Sequence, residues 1–395
     1  MALAERALAA RTLARLIGSY VLGRPLATLR GAPWLLRPAL APACAAWAAG
    51  LASAGLVDAV RIGVRVRRAP VLRPHPALRA APGELAPVCT LISDTHLVRA
   101  GRAPTELALD PQQWPAPALP ASDQLRAGLG RVLRHVRRHA ADTVLWCGDT
   151  VDTGDPDEWR CWREIVDAVP GLAHRVVPGN HDICFNPPYD EDHALARRAV
   201  RERAFQQHAA RLADYPMVDA IITGRGPVTV ALLDSCRNRS RHVLSNAIGR
   251  FGDDQLGALA RVLAARRGPL LVVCHHHVWR DPRFVEPERW FETAYDADRL
   301  AEILLVYRAR DRRNQVLVCH GHRHVATAGR IDGGIAIAGL PSTTLGDKAR
   351  DRGVLDGRMR YAVAGLRADG SWGISLREVG LLSEAELIGP RARPR

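Results

Sequence analysis

The chain has 395 residues, of which 47% are hydrophobic and 24% are charged. These proportions are typical of a folded globular protein and exclude a largely disordered chain or a small disulfide-stabilised scaffold. The formal net charge of +14 suggests a nucleic-acid partner, but residues 1–85 carry a net +9 and residues 391–395 a net +3, which leaves +2 for residues 86–390. The near-neutral middle of the chain makes nucleic-acid binding an unfavoured hypothesis.

Residues 1–66 are rich in Ala and Arg and are predicted to form a basic helical extension. Residues 2–22 place apolar side chains at helical spacing, which is typical of a packed helix and also of an amphipathic helix on an anionic membrane. Residues 39–57 carry no charge, but nine of these nineteen are Ala, so we favour a packed or peripheral helix over a membrane span. Peripheral membrane contact through residues 1–66 stays open.

Residues 67–87 are rich in Pro and Arg and are predicted to link the extension to a main domain at 88–380, which a basic tail follows at 381–395. Within the main domain, short apolar runs alternate with helical patterns, and this alternation predicts an α/β layered fold. Residues 99–121 are Pro-rich and aperiodic and are interpreted as an inserted surface loop.

The predicted elements follow one another along the main domain. Strands are predicted at residues 88–93, 143–147, 174–177, 228–233, 270–274, 316–319 and 335–338. Helices are predicted at residues 122–140, 157–168, 192–213, 253–267 and 296–310. A hairpin is predicted from residues 361–366 and 372–377, joined around Asp369 and Gly370.

The positions of the cysteines indicate the redox state of the cellular compartment in which the protein is found. Of eight cysteines, Cys89, Cys147, Cys274 and Cys319 lie inside predicted strands, and none of the eight belongs to a C-x-x-C pair. They are interpreted as small buried apolar residues in a reducing compartment. Acidic and Arg residues interrupt any early secretory signal. The sequence therefore predicts a cytoplasmic protein, with association with the inner membrane surface left open.

Polar residues lie just after five of the predicted strands. The five blocks are Asp94-Thr95-His96, Gly148-Asp149-Thr150-Val151-Asp152, Gly179-Asn180-His181-Asp182, His275-His276-His277 and His320-Gly321-His322-Arg323-His324. Because ligands in α/β folds bind beyond the carboxyl ends of the strands, these loops are expected to converge on one site.

The residue types in these blocks fit a centre that holds two metal ions. Asp94 and His96 are two apart, as are His322 and His324, and residues at this spacing point the same way in extended backbone. Carboxylate, imidazole and carboxamide donors together suit borderline ions such as Mn, Fe or Zn better than Mg. The sequence thus predicts two divalent or mixed-valence ions of these metals.

The ordered blocks resemble the calcineurin-like metallophosphoesterase family, whose pattern is D-x-H, G-D-x-x-D, G-N-H-[DE], a His, and G-H-x-H. The resemblance covers roughly residues 86–345. Residues 148–159 (GDTVDTGDPDEW), 176–182 (VVPGNHD), 231–235 (ALLDS) and 248–259 (IGRFGDDQLGAL) look most like the bacterial class III cyclic-nucleotide phosphodiesterase branch. The resemblance implies a four-layer αββα sandwich.

The resemblance also implies a metal-ligand set. The implied ligands of the first metal are Asp94, His96 and His324, those of the second are Asn180, His275 and His322, and Asp149 is implied to bridge the two. Of the three consecutive histidines, the first is chosen because it comes directly after the strand, where the family places its single ligand.

Five further residues receive roles around this set. His181 matches the catalytic His of the family, and Asp182 is its expected orienting partner. Asp152 is expected to orient metal ligands through hydrogen bonds rather than to bind metal. The similar branch usually has His-His-Pro where this chain has three histidines followed by Val-Trp, so His276 and His277 are expected either to support the ligands or to contact substrate.

These roles imply a dinuclear-metal phosphoesterase that hydrolyses a phosphodiester or phosphomonoester by in-line attack of a metal-bridging hydroxide. The expected partner is a small phosphate ester. One alternative is a metal-binding interaction scaffold that no longer catalyses. Another is a membrane-associated phosphoesterase that acts on a lipid or a nucleotide-sugar pyrophosphate. The presence of His181 and of every implied ligand favours the enzyme over the scaffold, whereas the oligomeric state stays open.

Overall fold

The computed structural model describes residues 68–102, 104, 122–183, 194–237, 248–280, 293–348 and 355–382, together with the isolated residues 42, 45 and 46. Nearly all of the predicted extension, most of the predicted loop at 99–121 and the predicted tail from residue 383 lie outside the described residues. Among the helices of the described ranges, none is both long and apolar enough to cross a membrane.

The described residues form twelve strands and six α-helices. The strands are β1 (Arg73–Pro74), β2 (Ala86–Ile92), β3 (Thr143–Trp146), β4 (Ala173–Val176), β5 (Met217–Thr223), β6 (Gly226–Leu232), β7 (Leu270–Val273), β8 (Val316–His320), β9 (Thr327–Ile331), β10 (Ile335–Gly339), β11 (Arg358–Leu366) and β12 (Trp372–Leu381). The helices are α1 (Ser122–His139), α2 (Pro156–Asp167), α3 (Asn180–Ile183), α4 (Ala194–His208), α5 (Asp253–Ala264) and α6 (Ala297–Ala309).

The strands build two sheets. One has five strands in the order β12-β11-β2-β3-β4, and the other has seven in the order β1-β9-β10-β8-β7-β6-β5. Strands β2, β3 and β4 run parallel in the first sheet, as do β6, β7, β8 and β10 in the second. The carboxyl ends of parallel neighbours lie at one edge of a sheet, so this topology brings the loops after β2, β3 and β4 together, and likewise those after β7 and β8.

The central strands of the seven-stranded sheet are buried on both faces. Successive residues of a strand point to opposite faces. Val230 and Leu232 of β6 belong to the core cluster that also contains side chains of β2 and β3, whereas Ala231 and Leu233 pack with side chains of α5 and α6. The helices α1 and α2 pack their apolar side chains into the first cluster. The result is the predicted αββα sandwich.

Local sequence signals account for the elements that were predicted. The predicted strands and helices, apart from helix 192–213 and hairpin strand 372–377, begin and end within three residues of an observed element, and the second hairpin strand continues four residues further, to Leu381. The start of helix α2 is predictable from its capping residues. The Asp155 side chain accepts the backbone N–H of Asp157, and the Glu158 side chain completes a capping box around Pro156. The hairpin of β11 and β12 is antiparallel, as predicted.

The structure differs from the predictions in three strands and one helix. Strands β1, β5 and β9 have no predicted counterpart, because each has a weak β-strand pattern in its sequence. Strand β1 has only two residues, β5 is a half-exposed edge strand, and β9 contains Gly329 and Arg330. Helix α4 ends at His208, five residues before its predicted end, and Ala209, Ala210 and Leu212 then pack against the core.

The described part of the predicted linker packs on the main domain. Strand β1 pairs with β9, and the backbone N–H of Leu72 donates to the carbonyl of Arg280 over 3.1 Å. The side chains of Ala69, Leu72 and Leu78 are buried. A shortened chain that keeps these contacts would therefore begin no later than residue 68, and not at residue 88, where the main domain is predicted to begin.

Candidate metal centre

The loops after β2, β3, β4, β7 and β8 meet between the two sheets. They bring together the predicted site residues apart from His277, whose ring packs against Trp279 and His320 and whose Nε2 lies 2.7 Å from Thr293 Oγ1. The predicted set is Asp94, His96, Asp149, Asp152, Asn180, His181, Asp182, His275, His276, His277, His322 and His324, and each except His322 is buried. Since buried charged and polar groups are costly unless they are paired or bind a ligand, this concentration indicates a functional site.

Asp94, His96 and His324 form a first group of donors. The Nε2 atoms of His96 and His324 lie 3.1 Å apart, and His324 Nε2 lies 3.4 Å from a carboxylate oxygen of Asp94. The Nδ1 atom of His96 lies 3.1 Å from a carboxylate oxygen of Asp152. Asp152 therefore orients the ring of His96 so that its Nε2 faces the group.

Asn180, His275 and His322 form a second group. The Nε2 atom of His275 lies 2.9 Å from Asn180 Oδ1 and 3.1 Å from His322 Nδ1. The same nitrogen lies 3.1 Å from Asp149 Oδ2, which is also 3.9 Å from His96 Nε2. The carboxylate of Asp149 thus lies between the two groups, where a ligand shared by two metals would have to be.

The donor set fits a pair of divalent cations. Carboxylate oxygens, imidazole nitrogens and a carboxamide oxygen are the ligands that borderline divalent ions prefer. The Nδ1 atom of His275 lies 2.9 Å from the backbone carbonyl of Cys147. A carbonyl can only accept a hydrogen bond, so Nδ1 carries a proton, and Nε2 is the nitrogen that would present its lone pair to a cation in the second group.

Opposing effects act on the ionisation of the central residues. Burial by itself would raise the pKa of Asp149, but the imidazoles of His275 and His181 hold it well below its usual range. Burial would lower the pKa of His275, but the Asp149 carboxylate raises it to about 9. The two side chains thus share a buried charge pair. A divalent cation bound by His275 would displace the second proton of this imidazole, because metal-ligating imidazoles are neutral.

The backbone is strained at the predicted ligands. Within the described ranges, the non-glycine residues with positive φ are Asp94 (50°), His96 (42°), Asp149 (47°), His322 (72°) and His324 (53°). Such left-handed conformations are uncommon for residues other than glycine, although Asp and His adopt them more readily than most, and they cluster at functional sites. The i, i+2 pairs therefore converge through left-handed turns and not through the extended backbone predicted for them.

The predicted partnership of Asp182 with His181 is wrong. The carboxylate of Asp182 accepts the backbone N–H groups of Val151, over 3.0 Å, and Gly179, over 2.8 Å, and so ties two site loops together. The ring of His181 is held by Asp152, whose backbone carbonyl lies 2.8 Å from Nδ1. Sequence proximity suggested the neighbouring acid, whereas the fold places a different loop against the ring.

Comparison with known proteins decides the family. Residues 88–326, which include all five blocks, match the family model described as calcineurin-like phosphoesterase. The chain belongs to the calcineurin-like phosphoesterase family. Membership supports a phosphoester hydrolase with a dinuclear metal centre. Among curated proteins, none matches the chain.

Several solved structures are similar to this calcineurin-like phosphoesterase. A dimetal phosphatase from Danio rerio is 14% identical, with a TM-score of 0.47, over 75% of this chain and 99% of the other. The phosphopantetheinyl hydrolase of Mycobacterium tuberculosis is 15% identical, with a TM-score of 0.38, over 65% and 90%. A purple acid phosphatase from yellow lupin seeds is 11% identical, with a TM-score of 0.47, over 76% and 52%.

Two supporting features of the phosphoesterase site were not predicted. The loop after β10 carries Ser342 and Thr344, whose hydroxyls donate to the backbone carbonyls of Asp94, over 2.6 Å, and Thr95, over 2.8 Å. Ser235, after β6, contacts the backbone of His275 and the ring of His276. Both features follow predicted strands, so the rule that sites lie beyond strand ends could have found them.

Replacing Gly179 with Ala is expected to damage the phosphoesterase site directly. A Cβ atom at this position would lie 2.1 Å from the backbone nitrogen of Asp149 and equally tightly against its carboxylate. Displacing this carboxylate should lower the metal content and reduce hydrolysis by about 100-fold, a loss typical of small misplacements in active sites. Elemental analysis and rate measurements test this. Gly224→Ala is the control, because nothing lies within 4 Å of its added Cβ. Wild-type metal content in Gly179→Ala would contradict the prediction.

Proposed function

We propose that this protein hydrolyses phosphodiester or phosphomonoester bonds by in-line attack of water at phosphorus. The observation that carries the proposal is the position of the Asp149 carboxylate, 3.1 Å from His275 Nε2 in one donor group and 3.9 Å from His96 Nε2 in the other. When bound, two divalent cations supply a water of lowered pKa and a positive field for the phosphate oxygens.

The side chains of the protein divide the remaining tasks. The shared carboxylate of Asp149 holds the two groups at a fixed separation, and its Oδ1 accepts the backbone N–H of His181 over 2.8 Å. The Nδ1 atom of His181 is held by the carbonyl of Asp152. Proton exchange with the leaving oxygen would therefore take place at Nε2 of His181, which makes this residue the proposed general acid.

Cyclic nucleotides belong among the substrates to be tested first. The sequences of residues 148–159 and 248–259 resemble the class III phosphodiesterase branch, and this resemblance supports a phosphodiester substrate. Manganese, iron and zinc are the proposed metals because imidazole and carboxylate ligands dominate both groups.

A panel of phosphate esters tests the proposed function. The full-length protein is reconstituted with Mn, Fe or Zn and assayed with bis-p-nitrophenyl phosphate, p-nitrophenyl phosphate, cyclic AMP and nucleoside diphosphate sugars. We expect metal-dependent hydrolysis of at least one ester, because the donor atoms converge without substrate. A protein that binds two metals per chain but hydrolyses none of the esters would favour the interaction scaffold instead.

A further inference from the structure

The imidazole of His276 lies buried beside the second donor group. Its ring centroid is 4.6 Å from that of His322 and 4.9 Å from that of His275. One ring nitrogen of each of these three histidines lies within 4.8 Å of the others. The Nε2 atom of His276 is buried and has no hydrogen-bond partner among the described residues, so the metal-ligand assignments leave this nitrogen without a role.

Ser235 determines which nitrogen of His276 carries the proton. Its Oγ accepts the backbone N–H of His275 over 3.3 Å and that of His276 over 3.1 Å. A serine hydroxyl has two acceptor lone pairs and one O–H donor. Since the two N–H groups occupy the lone pairs, the O–H donates to Nδ1 of His276, 2.8 Å away. The imidazole is then neutral, with its proton on Nε2.

This hydrogen bonding argues against His276 as a third imidazole ligand of the metal. A ligating Nε2 needs its lone pair, so the proton would have to move to Nδ1. The Nδ1–H would then donate to Ser235, whose Oγ would face three N–H donors with two lone pairs. The buried Nε2 is therefore an N–H donor beside the site, and a buried donor needs an acceptor.

We propose that His276 contacts the substrate by donating its Nε2–H to a non-bridging oxygen of the phosphate group, and that Ser235 is the positioning residue that keeps the proton on Nε2. This inference rests on the proposed phosphoesterase function. A phosphate oxygen is a charged acceptor, and hydrogen bonds to charged acceptors are stronger than neutral ones. The ALLDS stretch that ends in Ser235 thereby acquires a role in the site.

Two substitutions of His276 distinguish the effect of losing the N–H donor at Nε2 from the effect of losing the rest of the ring. His276→Gln can place an amide N–H near the position of Nε2, whereas the shorter His276→Asn reaches only the position of Nδ1. Inorganic phosphate is titrated into zinc-loaded full-length protein by calorimetry, and bound metal is counted. We expect wild-type metal content in both variants. The dissociation constant for phosphate should rise about 10- to 100-fold in His276→Asn and much less in His276→Gln.

Two further measurements address Ser235. Long-range proton–nitrogen NMR of zinc-loaded protein with labelled histidine should show the Nε2–H form of His276 in the wild type. In Ser235→Ala the Nδ1–H form should appear and phosphate affinity should fall, and Ser235→Thr should restore both because it keeps the hydroxyl. A structural role alone would not shift the tautomer in this way.

Several results would overturn the inference. They are loss of one metal ion per chain in either His276 variant, unchanged phosphate affinity in His276→Asn, no phosphate binding by the wild type, or an Nδ1–H form of His276 in the wild-type spectrum. The spectrum needs no variant, so it stands even if a substitution prevents folding. Hydrolysis by the wild type with unchanged phosphate affinity in His276→Asn would reject only the role of His276. Weakened phosphate binding in that variant, without hydrolysis of any ester by the wild type, would reject only the proposed function.

Discussion

Asp149→Ala is expected to lose metal from both donor groups and to reduce hydrolysis by more than about 100-fold, beyond the loss typical of a residue that only supports a ligand. Asp149 Oδ2 lies between His275 Nε2 at 3.1 Å and His96 Nε2 at 3.9 Å, so a single truncation would remove the proposed shared ligand from both groups. Its Oδ1 also accepts the backbone N–H of His181. The variant therefore loses the shared ligand and an anchor of the His181 loop together.

The measurements for Asp149→Ala are metal content by elemental analysis and hydrolysis of the best ester in the panel. Asp167→Ala is the control, because this carboxylate is exposed and pairs with Arg163, over 3.2 Å, one turn away on the same helix. Exposed pairs of this kind contribute little to stability, so the control should keep its metals and activity. Full metal occupancy with full activity in Asp149→Ala would contradict the shared-ligand assignment.

His181→Ala is expected to keep both metals and to lose turnover by about 10²- to 10⁴-fold, the usual contribution of a general acid. The ring is fixed by the backbone carbonyl of Asp152 through Nδ1, whereas the two donor groups are assembled from other residues. Because the proposed proton transfer occurs in the transition state, kcat should fall much more than KM rises.

The control for His181→Ala is His139→Ala, which removes an exposed histidine at the end of α1. Metal content and separate values of kcat and KM are measured for both variants. Loss of one metal from His181→Ala would make this residue a ligand. Unchanged kcat would exclude it from proton transfer.

The predicted strands and helices were readable because their signals are local. Strands buried on both faces, such as β7 and β8, are continuous apolar runs. The start of helix α2 is predicted by the N-cap Asp155, by Pro156 in the first turn and by Glu158 of the capping box. By contrast, β5 and β9 are held by antiparallel pairing with β6 and β10 at or near the sheet edges. That pairing comes from residues elsewhere in the chain, so the two strands carry little signal of their own.

The sequence by itself determined which donors gather at the site. Each block lies at or just after the end of a predicted strand, and the carboxyl ends of parallel strands lie at one edge of a sheet. The order of the blocks alone therefore predicts the convergence of Asp94, Asp149, Asn180, His275 and His322. It also determined the family, because five spaced blocks in one order identify a shared site better than any single block.

Only the tertiary structure decided how each side chain is held. Asp152 takes the place predicted for Asp182 beside His181, and the site loops turn through left-handed backbone at Asp94 and Asp149. Ser235 and His276 meet across 41 residues, and His275 meets the carbonyl of Cys147 across 128. Whether a nitrogen donates or accepts depends on the group opposite it. For these residues that group is distant in the sequence, so the proton positions follow from the fold.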